Sequence, residues 1–265
     1  MNRIYRKRIP SILQDTDKGT HNYLNLRDAS NKIKPRWNTM TECGEKIIRK
    51  ELHEISKGCC AYCGKKITLK EMDIDHFLPS SKFPYLSYCW DNFLPSCKVC
   101  NQSFKRDLSP SNLQNLNMIE RYLKIETLED KGIIIKNPFL FKKKTVLKKI
   151  FTEDRIIDPS FDLVKNHLEF NPIVYKYRGR TKIGDKTAAV FFSNVEFQES
   201  IEGVSNIVLG LVYNGNPFGV IQDLIDTYGY KFYYEYYWRF WNEQKIKNTK
   251  YYQLKCKDRF EQSKD

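Results

Sequence analysis

Two cysteine pairs, Cys60-Ala-Tyr-Cys63 and Cys97-Lys-Val-Cys100, carry the plainest chemical signal in this chain. A C-x-x-C knuckle holds two thiolates at the ends of one tight turn, and two such knuckles complete a tetrahedral S4 zinc site. Residues 64 to 96 lie between the pairs, more than the roughly fifteen to twenty of a simple ribbon, so a substantial segment is looped out from the metal. Cys59 competes with Cys60 as a ligand, but only Cys60 keeps the two-residue gap to Cys63. Cys43, Cys89 and Cys256 have no partner at ligand spacing and read as ordinary buried thiols. Structural zinc is worth roughly 10–16 kcal/mol in small metal-folded domains, so loss of one thiolate should unfold the local region.

The looped-out segment holds the reactive types. Asp73-Ile74-Asp75-His76-Phe77 alternates as a short strand does, and Pro79 ends it. Trp90-Asp91-Asn92-Phe93 opens a second extended stretch, and Ser96 is a suitable N-cap for a helix carrying Lys98, Asn101 and Lys105. The predicted order is strand, long loop, strand, helix, with zinc knuckles pinning the ends.

These residues resemble the HNH endonucleases of the ββα-metal class, in the subset with a C-x-x-C zinc site. The resemblance spans Gly58 to Asp107 and rests on Asp75-His76 followed by Pro79, Asn92 between Asp91 and Phe93, and Asn101 directly after the second knuckle. It implies that Asp75 and Asn101 hold a catalytic Mg²⁺ or Mn²⁺, that His76 is the general base toward water, and that Asn92 ties down the loop and orients His76. A hard dication with oxygen ligands suits phosphodiester hydrolysis, and an imidazole neutral near pH 7 suits proton abstraction. The family's basic residue three positions beyond Asn101 is Phe104 here, with Lys105 one step on, and Lys105 is the expected phosphate contact. Asp73 is either a supporting acid beside Asp75 or a structural carboxylate.

The rest of the chain must position and feed this segment. Lys plus Arg exceed Asp plus Glu by 45 − 32 = +13 over 265 residues, which favours a polyanion partner, with DNA placed before RNA. The charged N-terminus lacks a following apolar run, so no signal peptide is expected and a cytoplasmic location is. Gly203 to Gln222 approaches membrane-spanning length but is broken by Asn214-Gly215-Asn216-Pro217, and reads as a buried element followed by a turn. Thr39 to Ser56 is a predicted helix leading into the first knuckle, with Ile48, Leu52 and Ile55 on one face. The basic stretch before it reads as an arm, on nucleic acid or on a partner protein.

Beyond Pro110, Leu113 to Leu128 is a predicted helix, and Ile173 to Tyr177 and Ala188 to Phe197 are predicted strands. Ile221, Leu224, Ile225 and Tyr228 form a helical stripe that stops at Gly229. Tyr230, Tyr234, Tyr237 and Trp241 also recur at helical spacing, as core or interface more readily than as base-stacking platforms. Lys142 to Lys144 with Lys148 and Lys149 are a solvated face or a phosphate contact. Asp158-Pro159-Ser160-Phe161-Asp162, with His167-Leu168, resembles an element of HNH proteins from Septu and retron anti-phage systems, which implies an ATPase partner. No P-loop is present in the chain itself.

The expectation is therefore an α+β protein: an N-terminal basic and helical region (1–57), a zinc-braced HNH module (58–110) and a mixed helical and sheet C-terminal region (111–265). Its expected activity is metal-dependent phosphodiester hydrolysis in anti-phage defence. The rival is a zinc-knuckle binding or interaction subunit, silent until assembled with an ATPase.

Overall fold

The structure is a computed structural model and describes residues 1–6, 10, 44–83, 86–87, 89–110, 118, 125–128, 132–135, 148 and 151–261. It is an α+β protein with small two-stranded sheets embedded among helices. Helix α1 (Gly44–Ile55) buries Ile48, Leu52 and Ile55 against the hairpin of β1 (Met72–His76) and β2 (Phe93–Cys97). The part of the predicted helix before Gly44 lies outside the described residues. The antiparallel register sets Asp73 opposite Ser96, Asp75 opposite Leu94 and His76 opposite Phe93.

A wide helical turn, Val99–Lys105, follows β2. Its π character is marked by the bond from Arg106 N–H to Asn101 O at 2.8 Å, which spans five residues instead of four. Ser96 is not its cap, as the sequence reading had it. The residue is held in β2, where its hydroxyl lies 3.9 Å from Cys60 Sγ and donates to Cys97 O.

Three further expectations are corrected. Ile125–Leu128 is a strand, β3, paired with β4 (Gly132–Ile135), and not the end of a helix. Three successive isoleucines on the partner strand favour an extended ladder. Of the rest of that predicted helix, only Met118 is described, and it is helical.

Ile173 and Val174 are exposed on a turn rather than on a strand, because Asn171 Oδ1 accepts from both of their N–H groups. The strands that flank this turn are β5 (Leu168–Asn171) and β6 (Lys176–Gly179), preceded by a single helical turn, α2 (Val164–His167).

The segment 188–197 is helical, not extended. Helix α3 (Lys182–Thr187) runs into a π turn, Ala188–Phe192, that buries Phe191 and Phe192, and Asn194 then caps α4 by accepting from Phe197 N–H at 2.7 Å.

Helix α4 (Val195–Tyr213) ends at the predicted Asn-Gly-Asn-Pro turn, and α5 (Gly219–Tyr228) stops at Gly229 as its stripe required. Helix α6 (Lys231–Ile246) buries Tyr233, Tyr234, Tyr237 and Trp241, followed by α7 (Lys250–Cys256) and a last π turn (Lys257–Glu261). The regular aromatics are core. Trp241 Nε1–H is satisfied by Ser205, and Tyr237 OH by Pro172 O. Among the described residues, no helix is long and apolar enough to cross a membrane. The lysine run at 142–149 lies outside the described residues except for Lys148, which is exposed.

The C-terminal helices close directly on the first knuckle. Lys66 N–H donates to Tyr228 O, Tyr230 N–H donates to Gly64 O, and Gly229 bridges Lys65 between them. Gly229 sits at φ +78, and a Cβ there would lie 2.4 Å from Gly64 O, so glycine is what permits the approach.

Residues 2–6 strap the module and are no free arm. Asn2 N–H donates to Ala61 O, Ile4 N–H to Pro159 O, and Arg6 donates to the carbonyls of Trp90, Asp91 and Phe93. The Asp158–Asp162 element is the corner on which this strap lands. Asp158 Oδ1 accepts from Ser160, while Asp162 forms a buried pair with Arg155 at 2.5 Å.

Candidate active site

The cysteines come first, because they set the frame. Knuckle one closes with Cys60 N–H to Lys65 O and Gly64 N–H to Cys60 O. Knuckle two closes with Cys100 N–H to Cys97 Sγ at 3.5 Å. The sulfurs of Cys60, Cys63, Cys97 and Cys100 all lie within 4.8 Å of one another, with Cys63 and Cys97 3.9 Å apart. Tetrahedral thiolates on zinc with 2.3 Å bonds stand about 3.8 Å apart, so the cluster fits the ion in number, chemistry and spacing. Cys59 is outside it, its thiol donating to Lys57 O. Cys89 and Cys256 are buried and stand outside the cluster.

On β1, Asp75 points inward. Oδ2 accepts from the hydroxyl of Tyr62, the third residue of the first knuckle, and Oδ1 pairs with Lys105 Nζ at 2.9 Å. Burial, and then the neighbouring carboxylate, push the Tyr62 phenol well above its ordinary value, so it stays the donor. Tyr62 is itself stacked on Phe191, centroids 4.4 Å apart, which ties the site to the C-terminal half.

His76, at the strand's end, sits edge-on to Phe93, and its Nε2 lies 2.8 Å from Ser87 O. A carbonyl can only accept, so Nε2 carries the proton and the lone pair of the neutral ring is on Nδ1. Burial pulls the imidazole below its ordinary value of 6.5, against the opposing pull of the Ser87 bond and Asp75, which favours the neutral form. Asn92 is fully buried. Its Oδ1 accepts from Leu78 N–H and its Nδ2 donates to the carbonyls of Leu78 and Leu86, so one amide spans the loop between β1 and β2.

Asn101 and Gln102, on the π-helix, both donate to Asp73 Oδ2, at 3.2 and 2.8 Å. The strand therefore presents two carboxylates to one helix, Asp73 toward Asn101 and Asp75 toward Lys105, as the two-residue strand period requires. Asp73, Asp75 and Asn101 each offer a hard oxygen donor of the kind that suits Mg²⁺ or Mn²⁺, with Asn101 N–H on Asp73 and the Lys105 ammonium on Asp75.

Of the sequence-derived positions, Asp75 and His76 lie on β1, Asn92 just before β2 and Asn101 on the π-helix, with Asp75 in contact with Tyr62 and Lys105, and Asn101 with Asp73. Lys105 does not take its expected place. It is buried and donates to Asp75 and to His76 O, because the extra residue of the π turn carries its stem inward rather than to the surface. Tyr62 and Gln102 went unnoticed in the sequence. The one signal for Tyr62 was a hydroxyl-bearing aromatic inside a metal knuckle.

Comparison with known proteins agrees with this geometry. Residues 60–107 match the sequence model of the family described as HNH endonuclease. The chain is 42% identical over 60 residues to the Septu protein PtuB of Bacillus thuringiensis, covering 22% of this chain and 23% of that protein. It is 30% identical over 110 residues to the retron Vc95 putative HNH endonuclease of Vibrio cholerae serotype O1 biovar El Tor, covering 38% of this chain and 54% of that one. These matches span about a quarter and about half of the relatives' lengths. No solved structure matches. Over residues 60–107 the chain is similar to HNH endonucleases, and it carries there a four-cysteine cluster that fits zinc.

Proposed function

We propose that this chain is a metal-dependent endonuclease that hydrolyses phosphodiester bonds of nucleic acid, DNA before RNA, as the cytoplasmic effector of an anti-phage defence system. The observation that carries the reading is the placement of His76: a half-buried imidazole at the end of β1, next after Asp75, with Nε2 2.8 Å from the carbonyl of Ser87, a contact that fits a proton on Nε2 and a lone pair on Nδ1.

Asp75 and Asn101 would hold Mg²⁺ or Mn²⁺, with Asp73 at hand through its bond to Asn101. When bound, such an ion supplies Lewis-acid stabilisation of charge on the phosphoryl and leaving oxygens. His76 Nδ1 takes the proton of the attacking water. Asn92 fixes the loop that carries Ser87's neighbours, and so the orientation of the ring. Cys60, Cys63, Cys97 and Cys100 would hold structural zinc and set the distance between hairpin and helix. The excess of +13 supplies long-range attraction for a polyanion.

Incubation of plasmid, single-stranded DNA and RNA with Mg²⁺ or Mn²⁺, beside His76→Ala, is the test. Cleavage by the wild type and not by the variant is expected, and equal cleavage by both would remove His76 from the mechanism. A second reading, latency until an ATPase partner assembles, is favoured by the cation covering Asp75. Co-purification with the neighbouring gene product, followed by the same assay with nucleotide, separates the two, since full activity of the free chain counts against latency.

A further inference from the structure

Lys105 is an unusual occupant of the centre of this site. Its side chain is 1% exposed and that of Asp75 3%, with Nζ 2.9 Å from Asp75 Oδ1 and 2.7 Å from His76 O. A buried ammonium persists only when its charge is matched and its protons are accepted, and these two oxygens do both. They are a carboxylate and a main-chain carbonyl, hard oxygen donors of the kind that also take a small divalent cation.

Lysine suits a removable cation better than arginine would. It is a compact charge at the tip of a flexible four-carbon stem, with no planar fork to lock it in place. Lys105 also ends the π-helix, and Arg106 at φ +48 has already left helical geometry, so the stem can swing without unwinding a helix interior. A dication on Asp75 and an ammonium on the same carboxylate would repel each other at close range. Only one of them fits.

We propose that Lys105 is the internal counter-ion of the divalent-metal site: its ammonium holds Asp75 in the metal-free protein and is exchanged for the dication when one binds. Metal entry and lysine release are then a single event. The metal-free chain keeps its key carboxylate neutralised, and the metal-bound chain gains a freed cation next to a site for anionic phosphate. This inference rests on the assignment of Asp75 and Asn101 as the metal-holding pair.

The test uses the full-length, zinc-loaded protein. Surface lysines are acylated with the N-hydroxysuccinimide ester of acetic acid, with and without saturating Mn²⁺, and modification at Lys105 is read by peptide mass spectrometry. Mn²⁺ binding is followed in parallel by loss of the free-ion electron paramagnetic resonance signal in the wild type, Asp75→Asn, Asn101→Ala and Lys105→Met. Expected are a roughly tenfold rise in Lys105 modification with Mn²⁺ in the wild type, no rise in Asn101→Ala, and Mn²⁺ affinity at least about tenfold tighter in Lys105→Met, the factor by which an ammonium covering the site nine-tenths of the time would weaken binding.

Mn²⁺ binding that depends on Asp75 and Asn101 while Lys105 stays protected overturns the exchange and leaves the metal assignment standing. Binding that is indifferent to both substitutions overturns the metal assignment and the exchange with it. The labelling arm uses unaltered protein, so it decides the matter even if Lys105→Met fails to fold.

Discussion

Tyr62, placed between the two thiolates of the first knuckle, donates its hydroxyl to Oδ2 of Asp75 on the neighbouring strand. The bond links the zinc frame to the acid of the Asp-His pair through a single side chain, buried at both ends. The knuckle thus has two roles: its sulfurs fit a metal, and the residue between them aims a carboxylate. We expect Tyr62→Phe to cost about 1.5–3 kcal/mol in chemical denaturation, the worth of a hydrogen bond to a charged group, and to lower cleavage while zinc stays stoichiometric by elemental analysis. Unchanged stability would mean that the bond contributes nothing to holding Asp75.

The His76 imidazole, lowered by burial, fixes the sign of a pH dependence. The base works only when neutral, so cleavage is present above its folded value and lost as pH falls through it. With that value below 6.5, the acidic limb of the rate profile should have its midpoint under 6.5, measured at constant metal concentration. Removing the ring with His76→Ala should lower the rate by about 10²–10⁴-fold. An acidic midpoint well above 6.5 would contradict the assignment.

Asn92→Ala removes an amide that makes bonds to Leu78 and Leu86 from a fully buried position. The Leu78 N–H and C=O it leaves lack their partner, which should cost about 2–4 kcal/mol. Hydrogen exchange at residues 78–92 should quicken, while the cysteine cluster, anchored elsewhere, retains its metal.

At the seam between the knuckle and the C-terminal helices, Gly229→Ala would place a methyl 2.4 Å from Gly64 O at a positive φ. The expected loss is about 1–3 kcal/mol, read as a lowered thermal midpoint. Wild-type stability in this variant would show that the seam opens freely.

Cys63→Ser should release zinc and leave the protein poorly soluble, because sulfur ligation there supplies roughly 10–16 kcal/mol to local folding. A folded variant with a full complement of zinc would refute the ligand set.

Much of the site was legible because its signals are local. C-x-x-C spacing states its own geometry, and Asp75-His76 before Pro79 can lie only at the end of a short strand. What was illegible is what depends on distant chain. The inward turn of Lys105 needs a π-helix, which no periodicity announces. The strand read into Ile173–Tyr177 holds only from Lys176, and the one read into Ala188–Phe197 is helical, because alternation over a few residues competes with side-chain hydrogen bonds to the backbone, from Asn171 in one case and Asn194 in the other. Ile125–Leu128 differs in the opposite direction, since its extended form depends on a ladder partner at 132–135.

The strap formed by residues 2–6 has a consequence for the order of assembly. Ile4 is held by Pro159 and Arg3 by Asp162, 159 residues further along, so the strap cannot settle until that later segment is in place. Contacts of such long sequence separation form late. A chain that has already gathered its four cysteines would still lack the clasp over Trp90 and Phe93, so the hairpin would reach its finished shape only after the Pro159–Asp162 corner has formed.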